Sequence, residues 1–343
     1  MAKTNPGRFF EDYSVGQVIK HAVPRTLSGG ERAMYHALYP ARHALYSSDQ
    51  FAQDCGLPAS PLDDLIAFHT VFGKTVPDVS LNAVANLGYA EGRFLRPVYE
   101  GDTLRSESEV IGLKQNSNGK SGVVYVRTRG LNQRGEEVLS YVRWVMVRKR
   151  DLDAPAPETT IPDLAKTVPA SDLVIPEGLD FTNYDFTLAG EAHRFGDYEV
   201  GEIIDHVDGV TIEEAEHMQA TRLWQNTAKV HFDATFRPDG QRLIYGGHVI
   251  SMARALSFNG LANAQMIVGL NGGAHANPCF SGKTVKAWSE VLEKAETSAP
   301  GVGAIRLRLV ATDGGTPGTL KGEDGKYLPE VLLDLDYWAL MPV

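Results

Sequence analysis

The sequence predicts an α+β protein made of two copies of one domain, each an antiparallel sheet wrapped around a central helix. Three observations lead to this fold class: an internal repeat, one apolar helix in each half, and runs of β-branched and aromatic residues after each helix. The 343 residues are enough for about two domains.

The repeat consists of two pairs of similar segments. The first, FEDYSVG at 10–16, returns as FGDYEVG at 195–201, an offset of 185 residues. The second, PVYEGDT at 97–103, aligns with PCFSGKT at 278–284, an offset of 181 residues. One short deletion reconciles the offsets, so two diverged copies in the same order are the simplest interpretation.

Domain boundaries follow from the repeat and from a change in composition. We expect an N-terminal domain at 1–150 and a C-terminal domain at 191–343. The segment 151–190 contains five prolines and no apolar periodicity, which is typical of an extended linker.

Each copy begins with a polar strand and a helix, predicted over 31–45 and 213–230. A second helix follows in each half, and its apolar stripe predicts burial. Four runs rich in β-branched and aromatic residues predict strands at 123–127, 138–147, 305–310 and 331–340. A buried helix against an antiparallel sheet is the shape of a hotdog domain. The two stripes are Leu62, Leu65, Ile66, His69 and Phe72, and Val249, Met252, Ala253 and Leu256.

Composition excludes several classes of protein. The formal net charge of −10 argues against binding to nucleic acids or anionic membranes. Two cysteines are too few for a disulfide framework or a thiolate metal site, so we expect no metal. No stretch is apolar enough for a membrane span or a signal peptide, which predicts a cytoplasmic protein. The sequence also lacks the P-loop, the nucleophile elbow, the zinc-protease motif and the dinucleotide fingerprint.

The segment WQNTAKVH at 224–231 resembles the Asp-x-Asn-Pro-x-His motif of the MaoC-like, R-specific enoyl-CoA hydratases, whose Asp and His activate water. The resemblance places Asn226 at the aspartate position and His231 at the histidine position. The repeat offset places Ala41 and Tyr46 at the same two positions of the first copy. It therefore implies catalysis in the second half, while the first half accommodates the acyl-CoA.

The whole chain is similar to the mesaconyl-CoA hydratases of the ethylmalonyl-CoA pathway, also called β-methylmalyl-CoA dehydratases. The segments 72–92 and 141–149 carry this similarity most clearly. It implies a fused double-hotdog fold. It also implies a lyase activity that reversibly hydrates mesaconyl-C1-CoA to β-methylmalyl-CoA. It implies no cofactor, because the CoA thioester is the substrate. A homodimer is a further expectation.

Water addition to an enoyl thioester needs a base and a stabiliser of the enolate charge. We assign the base to His231, since an imidazole titrates near neutrality; a buried histidine bonded to backbone is the alternative. The segment YGGH at 245–248 precedes the second helix, whose N-terminal N–H groups can hold the enolate oxygen, with Gly247 permitting close approach. His248 either helps to hold the enolate oxygen or caps the helix. Asn226 cannot act as a base, but an amide does not repel the substrate's own carboxylate.

The substrate carboxylate needs a cation, for which we predict Arg222, one helical turn before Asn226, ahead of Lys229 and Arg42. Two alternatives to a hydratase stay open: a thioesterase using Asp63 and Asp64, and a non-catalytic acyl-CoA-binding module. For CoA itself we expect contacts in the first half, at Asp63, Asn86, Gly88, Arg96, Pro97 and Val98.

Overall fold

The computed structural model describes residues 3–343, and it has the predicted α+β architecture in two similar halves. The linking segment holds one short helix, α5 (Phe186–Ala189). The N-terminal half contains β1 (Val18–Lys20), β2 (Arg25–Thr26), α1 (Gly29–Leu38), α2 (Ala44–Ser47), α3 (Asp49–Asp54), α4 (Asp64–Thr75), β3 (Ala83–Phe94), β4 (Thr103–Gln115), β5 (Ser121–Leu131) and β6 (Glu137–Arg148). The C-terminal half contains β7 (Ile203–Thr211), α6 (Glu214–Leu223), α7 (Lys229–Phe232), α8 (Gly246–Leu256), α9 (Phe258–Leu261), β8 (Ile267–His275), β9 (Thr284–Glu296), β10 (Val302–Thr312) and β11 (Val331–Pro342).

The strands of the two halves form one continuous antiparallel sheet. Its order in the described residues is β1-β4-β5-β6-β3-β8-β11-β10-β9-β7, with β2 paired to β4. The halves meet where β3 pairs with β8, in a register that places Tyr89 opposite Gly273. The double hotdog is confirmed, and its two expected sheets are joined edge to edge.

The two central helices, α4 and α8, are the buried elements of the fold. Every residue of α4 is buried, and so is every residue of α8 after Gly246. Both helices belong to a single apolar core that spans the two halves. The predicted apolar stripes therefore lie where expected, but these helices are covered on all sides.

The first helix of each half is shorter than predicted. The helix α1 ends at Leu38, because Pro40 disfavours helical geometry in the preceding residue. The helix α6 ends at Leu223, and Gln225 just beyond it has a left-handed φ of 56°. A loop and the short helix α7 replace the expected continuation.

The strands β3 and β8 were not predicted, because their sequences are rich in glycine and polar residues. In β8, Gly273 lies against the Tyr89 ring, where a Cβ would come within 3.0 Å of the ring. Glycine at this position thus lets the strands of the two halves pair closely. Gly269, Gly272 and Gly273 all lie within this strand.

The proline-rich segment between the halves is packed against them. Val168, Phe181 and Tyr184 lie in an apolar cluster with Trp338, and the Trp338 indole N–H donates to the carbonyl oxygen of Val168 at 3.0 Å. No helix of the described residues combines the length and apolar character that crossing a bilayer requires.

Candidate active site

A cavity of about 300 Å³ lies between the halves. The N-terminal half contributes side chains of α4, β3 and β6, and the C-terminal half contributes the α6–α7 loop, α7, the start of α8 and the end of β8. Its lining is mostly apolar, and its polar side chains are Ser80, Asn86, Tyr89, Arg143, Asn226, His231, Tyr245, His275, Asn277 and Cys279.

His231 lines this cavity from α7 and is half-buried. Its Nδ1–H donates to the carbonyl oxygen of Leu243 at 2.7 Å. That bond selects the tautomer in which Nε2 carries a lone pair, and Nε2 has no hydrogen-bond partner within residues 3–343. Burial lowers the pKa of His231 below 6.5. The hydrogen bond to the Leu243 carbonyl raises the pKa, but its effect is the smaller of the two. The geometry suits a neutral imidazole that accepts a proton.

Asn226 reaches the same cavity from the α6–α7 loop. Its side chain is buried, and its Oδ1 accepts the backbone N–H of Ala228 at 3.3 Å. This leaves the amide NH₂ to donate to water or substrate. The structure thus brings together the two residues that the motif resemblance paired.

The N-terminus of α8 also faces the cavity, at Tyr245 and Gly246. The Tyr245 N–H donates to His217 Nε2 at 2.9 Å, and the His248 N–H donates to the Tyr245 carbonyl oxygen at 2.9 Å. The N–H groups of Gly246 and Gly247 have no partner inside the helix. A Cβ on Gly246 would collide with the His275 ring, and one on Gly247 with the Tyr245 ring. Gly246 lines the cavity with the His275 ring packed against it, whereas Gly247 is absent from the lining and the space in front of it is taken by Tyr245.

Three histidines that the motif did not indicate surround these residues. His275 lines the cavity from β8, with Nε2 3.3 Å from the Tyr89 hydroxyl. His217 and His69 support Tyr245 through its backbone N–H and its hydroxyl, respectively. Burial lowers the pKa of His275 to about 4 and those of His217 and His69 to about 3, so all three are neutral at physiological pH.

His248 lies outside the cavity lining. It is the third residue of α8, fully buried, with Nδ1 3.1 Å from the Tyr39 hydroxyl. Burial lowers its pKa to about 4. Its surroundings are those of a buried structural residue in the first turn of the helix.

Arg222 is exposed on α6 and does not line the cavity. The prediction assumed that helical spacing continued to Asn226, but α6 ends at Leu223 and the chain turns at Gln225. Lys229 and Arg42 are exposed and also absent from the lining, Arg42 lying over the Phe258 ring at 4.4 Å. None of the three predicted cations reaches the cavity.

Of the residues expected to bind CoA, only Asn86 lines this cavity. Gly88 packs against the Trp144 ring, and Val98 is in the core. Arg96 and Pro97 lie beside Asp64 at a second pocket of only about 10 Å³. Asp63 is buried, with its carboxylate accepting the Leu65 N–H at 2.9 Å. The structure does not bring this set together.

A double hotdog with a histidine-bearing loop and a glycine-rich helix N-terminus at one cavity defines the class of MaoC-like dehydratases. The crystal structure of a MaoC domain protein dehydratase from Chloroflexus aurantiacus matches with a TM-score of 0.97 and 57% identity, covering 100% of this chain and 99% of that one. A Mycobacterium tuberculosis protein with a double hotdog fold shares the fold at a TM-score of 0.74 and 23% identity, covering 97% and 98%.

Within that class, the chain belongs to the mesaconyl-CoA hydratase family, in a match that spans residues 1–322. It is 79% identical over 341 residues to the mesaconyl-CoA hydratase of Cereibacter sphaeroides, covering 99% of each chain. It is 58% identical over 349 residues to the β-methylmalyl-CoA dehydratase of Chloroflexus aurantiacus, again covering 99% of each.

Proposed function

We propose that this chain is a hydro-lyase that reversibly hydrates mesaconyl-C1-CoA to β-methylmalyl-CoA. The observation that carries the proposal is the His231 tautomer. The ring is held by the Leu243 carbonyl through Nδ1 and offers an unpartnered Nε2 in a cavity that also receives the N-terminus of α8. The relatives at 79% and 58% identity are a mesaconyl-CoA hydratase and a β-methylmalyl-CoA dehydratase, which supports the same reaction here.

The proposed steps follow from the chemistry of a conjugated thioester. His231 Nε2 takes a proton from water, and the water oxygen bonds to the β-carbon, which carries the substrate's carboxylate. The electron pair of the double bond moves to the thioester oxygen, giving an enolate. The resulting imidazolium returns a proton to the α-carbon, and the thioester carbonyl re-forms. The same steps in reverse eliminate water.

The enolate oxygen is assigned to the N–H groups at the start of α8, around Gly246. Each well-placed donor of this kind is worth about 3 kcal/mol in a site that excludes water. The Asn226 amide is assigned to the attacking water. It donates a hydrogen bond without adding a second negative charge beside the substrate carboxylate.

A thioesterase is disfavoured by the positions of the two carboxylates it would use. Asp63 and Asp64 are buried at the start of α4, outside the cavity lining. The Asp64 carboxylate accepts the Tyr46 hydroxyl and the Ile267 N–H. Neither group is available to activate water against a thioester in the cavity.

The test is turnover of mesaconyl-CoA by the purified chain, followed by the enoyl-thioester absorbance together with a free-thiol assay. We expect absorbance to fall without thiol release. In His231→Ala, kcat should fall by about 10²–10⁴ because the general base is lost. The matched control is His193→Ala, which removes an exposed histidine whose ring bonds to Glu191.

Thiol release would indicate a thioesterase, and no change in absorbance would indicate a binding module. Near-normal kcat in a folded His231→Ala variant would overturn the assignment of the base. We further propose that the enzyme works in the cytoplasm and forms a homodimer.

A further inference from the structure

We infer that Arg143, on β6 of the N-terminal half, binds the substrate's free carboxylate and so determines specificity for a dicarboxylic acyl group. The inference rests on the proposed hydratase function. It gives the half that lacks the histidine motif a direct part in recognising the acyl group, beyond enclosing it.

Arg143 has the burial and the free donors that such a role needs. Its exposed fraction is 0%, and it lines the cavity. Its Nη2 donates to Thr75 Oγ1 at 2.7 Å, and its guanidinium carbon lies 4.3 Å from the centroid of the Phe72 ring. Its Nε and Nη1 are buried without a hydrogen-bond partner. Nη2 also lies 3.5 Å from Ser80 Oγ. The guanidinium is thus held in place by Thr75, Ser80 and Phe72, while Nε and Nη1 remain unpaired.

A second buried arginine shows what a satisfied guanidinium looks like in this protein. Arg254, on α8, donates to Ser257 Oγ and to the backbone carbonyl oxygens of Ala264 and Gln265, and it contacts His43 Nε2 at 2.6 Å. Arg254 does not line the cavity. A buried donor without a hydrogen-bond partner costs free energy. Of these two arginines only Arg143 has such donors, which points to a ligand.

No carboxylate of the described residues neutralises Arg143. None of the residues lining the cavity is Asp or Glu, and Arg143 takes part in none of the salt bridges. Asp78 lies in the turn after α4, but its oxygens pair with Arg8 and His21. The cavity histidines are neutral, because burial lowers the pKa of both His231 and His275. An anionic ligand would supply the missing counter-ion.

A chain of contacts links Arg143 to the proposed base. The Phe72 ring beneath the guanidinium lies 5.9 Å from the Tyr245 ring, which in turn lies 5.9 Å from the His231 ring. Arg143 is also directly opposite Tyr89 in the β3–β6 pair, beside the junction of the halves. Cation and base thus share one small cavity, as required when the carboxylate sits on the carbon that receives water.

Asn86 provides a second polar group for the same ligand. Its Oδ1 and Nδ2 are both buried without partners, and it lines the cavity from β3. Its NH₂ can donate to the carboxylate oxygen that Arg143 leaves free.

The experiment compares two saturated thioesters that cannot react. Succinyl-CoA carries a carboxylate on its β-carbon, and butyryl-CoA has a methyl group there. The inhibition constants of both are measured against mesaconyl-CoA hydration, and by direct binding if the chain does not turn that substrate over. The wild type should prefer succinyl-CoA, and in Arg143→Gln this preference should fall by about 30-fold or more while butyryl-CoA binding changes little.

Arg129→Gln is the matched control, since it removes an exposed arginine from the neighbouring strand β5. Arg222→Gln tests the rival cation. Arg143→Lys, which keeps the charge, should retain part of the preference, and Thr75→Val, which removes the nearer of the two Nη2 acceptors, should reduce it. These two variants decide the question if Arg143→Gln does not fold.

An unchanged ratio of the two constants in Arg143→Gln, or a ratio lost in Arg222→Gln instead, would overturn the inference. Absence of mesaconyl-CoA turnover by the wild type would overturn the proposed function separately, because direct binding of the two saturated thioesters can be measured without turnover.

Discussion

At the scale of single residues, one hydrogen bond holds His231 in the tautomer that the proposed base requires. The Leu243 carbonyl accepts Nδ1–H, so the lone pair is on the ring nitrogen that is free to meet water. Burial then lowers the pKa of His231, which keeps the imidazole neutral at physiological pH. A histidine with a raised pKa would be protonated and unable to act as the base.

The pH profile of kcat/KM follows from this lowered pKa. The active form is neutral, so activity should be full above the pKa and fall as pH drops through it. We expect the acidic limb below pH 6.5, the ordinary value for histidine. His217 and His275 titrate lower still, near pH 3 and pH 4. The residual activity of His231→Ala should lack the limb; a limb above pH 6.5, or one retained in the variant, would contradict the assignment.

At the scale of elements, the loop that carries Asn226 is positioned by the helix of the other half. Gly73, in the last turn of α4, lies against the carbonyl oxygen of Trp224, and Arg25 donates to the carbonyl of Leu223. The close approach explains a glycine where alanine would favour the helix by about 1 kcal/mol. The N-terminal half thus supports the loop that carries Asn226.

Gly73→Ala should therefore lower both activity and thermal stability, since the new methyl group would overlap the Trp224 carbonyl and displace the loop. Helix propensity alone predicts a gain in stability, so the sign of the change separates the two effects. The measurements are the melting temperature and kcat for mesaconyl-CoA. Gly314→Ala is the control, because a Cβ at Gly314 meets nothing within 4 Å. A stabilised, fully active Gly73→Ala variant would refute this reasoning.

At the scale of the whole molecule, the two halves have taken different roles at equivalent places. The start of α8 has Gly246 and Gly247 facing or lying near the cavity, whereas the start of α4 has Asp63 and Asp64. The Asp64 carboxylate is bonded to Tyr46, which stands at the repeat position of His231. The equivalent pocket of the first half has a volume of only about 10 Å³. The first half now supports and lines the site of the second.

The buried titratable groups predict how stability depends on pH. Burial lowers the pKa of five histidines to about 3 or 4, so the unfolded chain takes up protons that the folded chain does not, and stability falls as pH drops below 6.5. Asp63 and Asp64 have raised pKa values of about 6 and 7 and act in the opposite sense, but they are fewer. The histidines are His69 and His217, near 3, and His206, His248 and His275, near 4.

The free energy of unfolding should therefore be lower at about pH 5 than at about pH 7, by on the order of 1 kcal/mol per pH unit for each excess proton. Urea unfolding at the two pH values measures it. An equal or higher midpoint at the lower pH would contradict the prediction.

The sequence by itself determined the duplicated α+β fold, the two buried helices and the histidine loop, because repeats, apolar periodicity and a short motif are local patterns. Only the tertiary structure decided the pairing of β3 with β8, the end of α6 before Asn226 and the cation at the cavity. Arg143 lies in a strand whose sequence is that of an ordinary sheet strand. Its burial, its free donors and its place in the same cavity as His231 arise from packing between residues far apart in the chain. A local pattern carries no information about such contacts. The spacing of Arg222 from Asn226 would place both on one face of a continuous helix, but α6 ends at Leu223 and Arg222 lies on the surface.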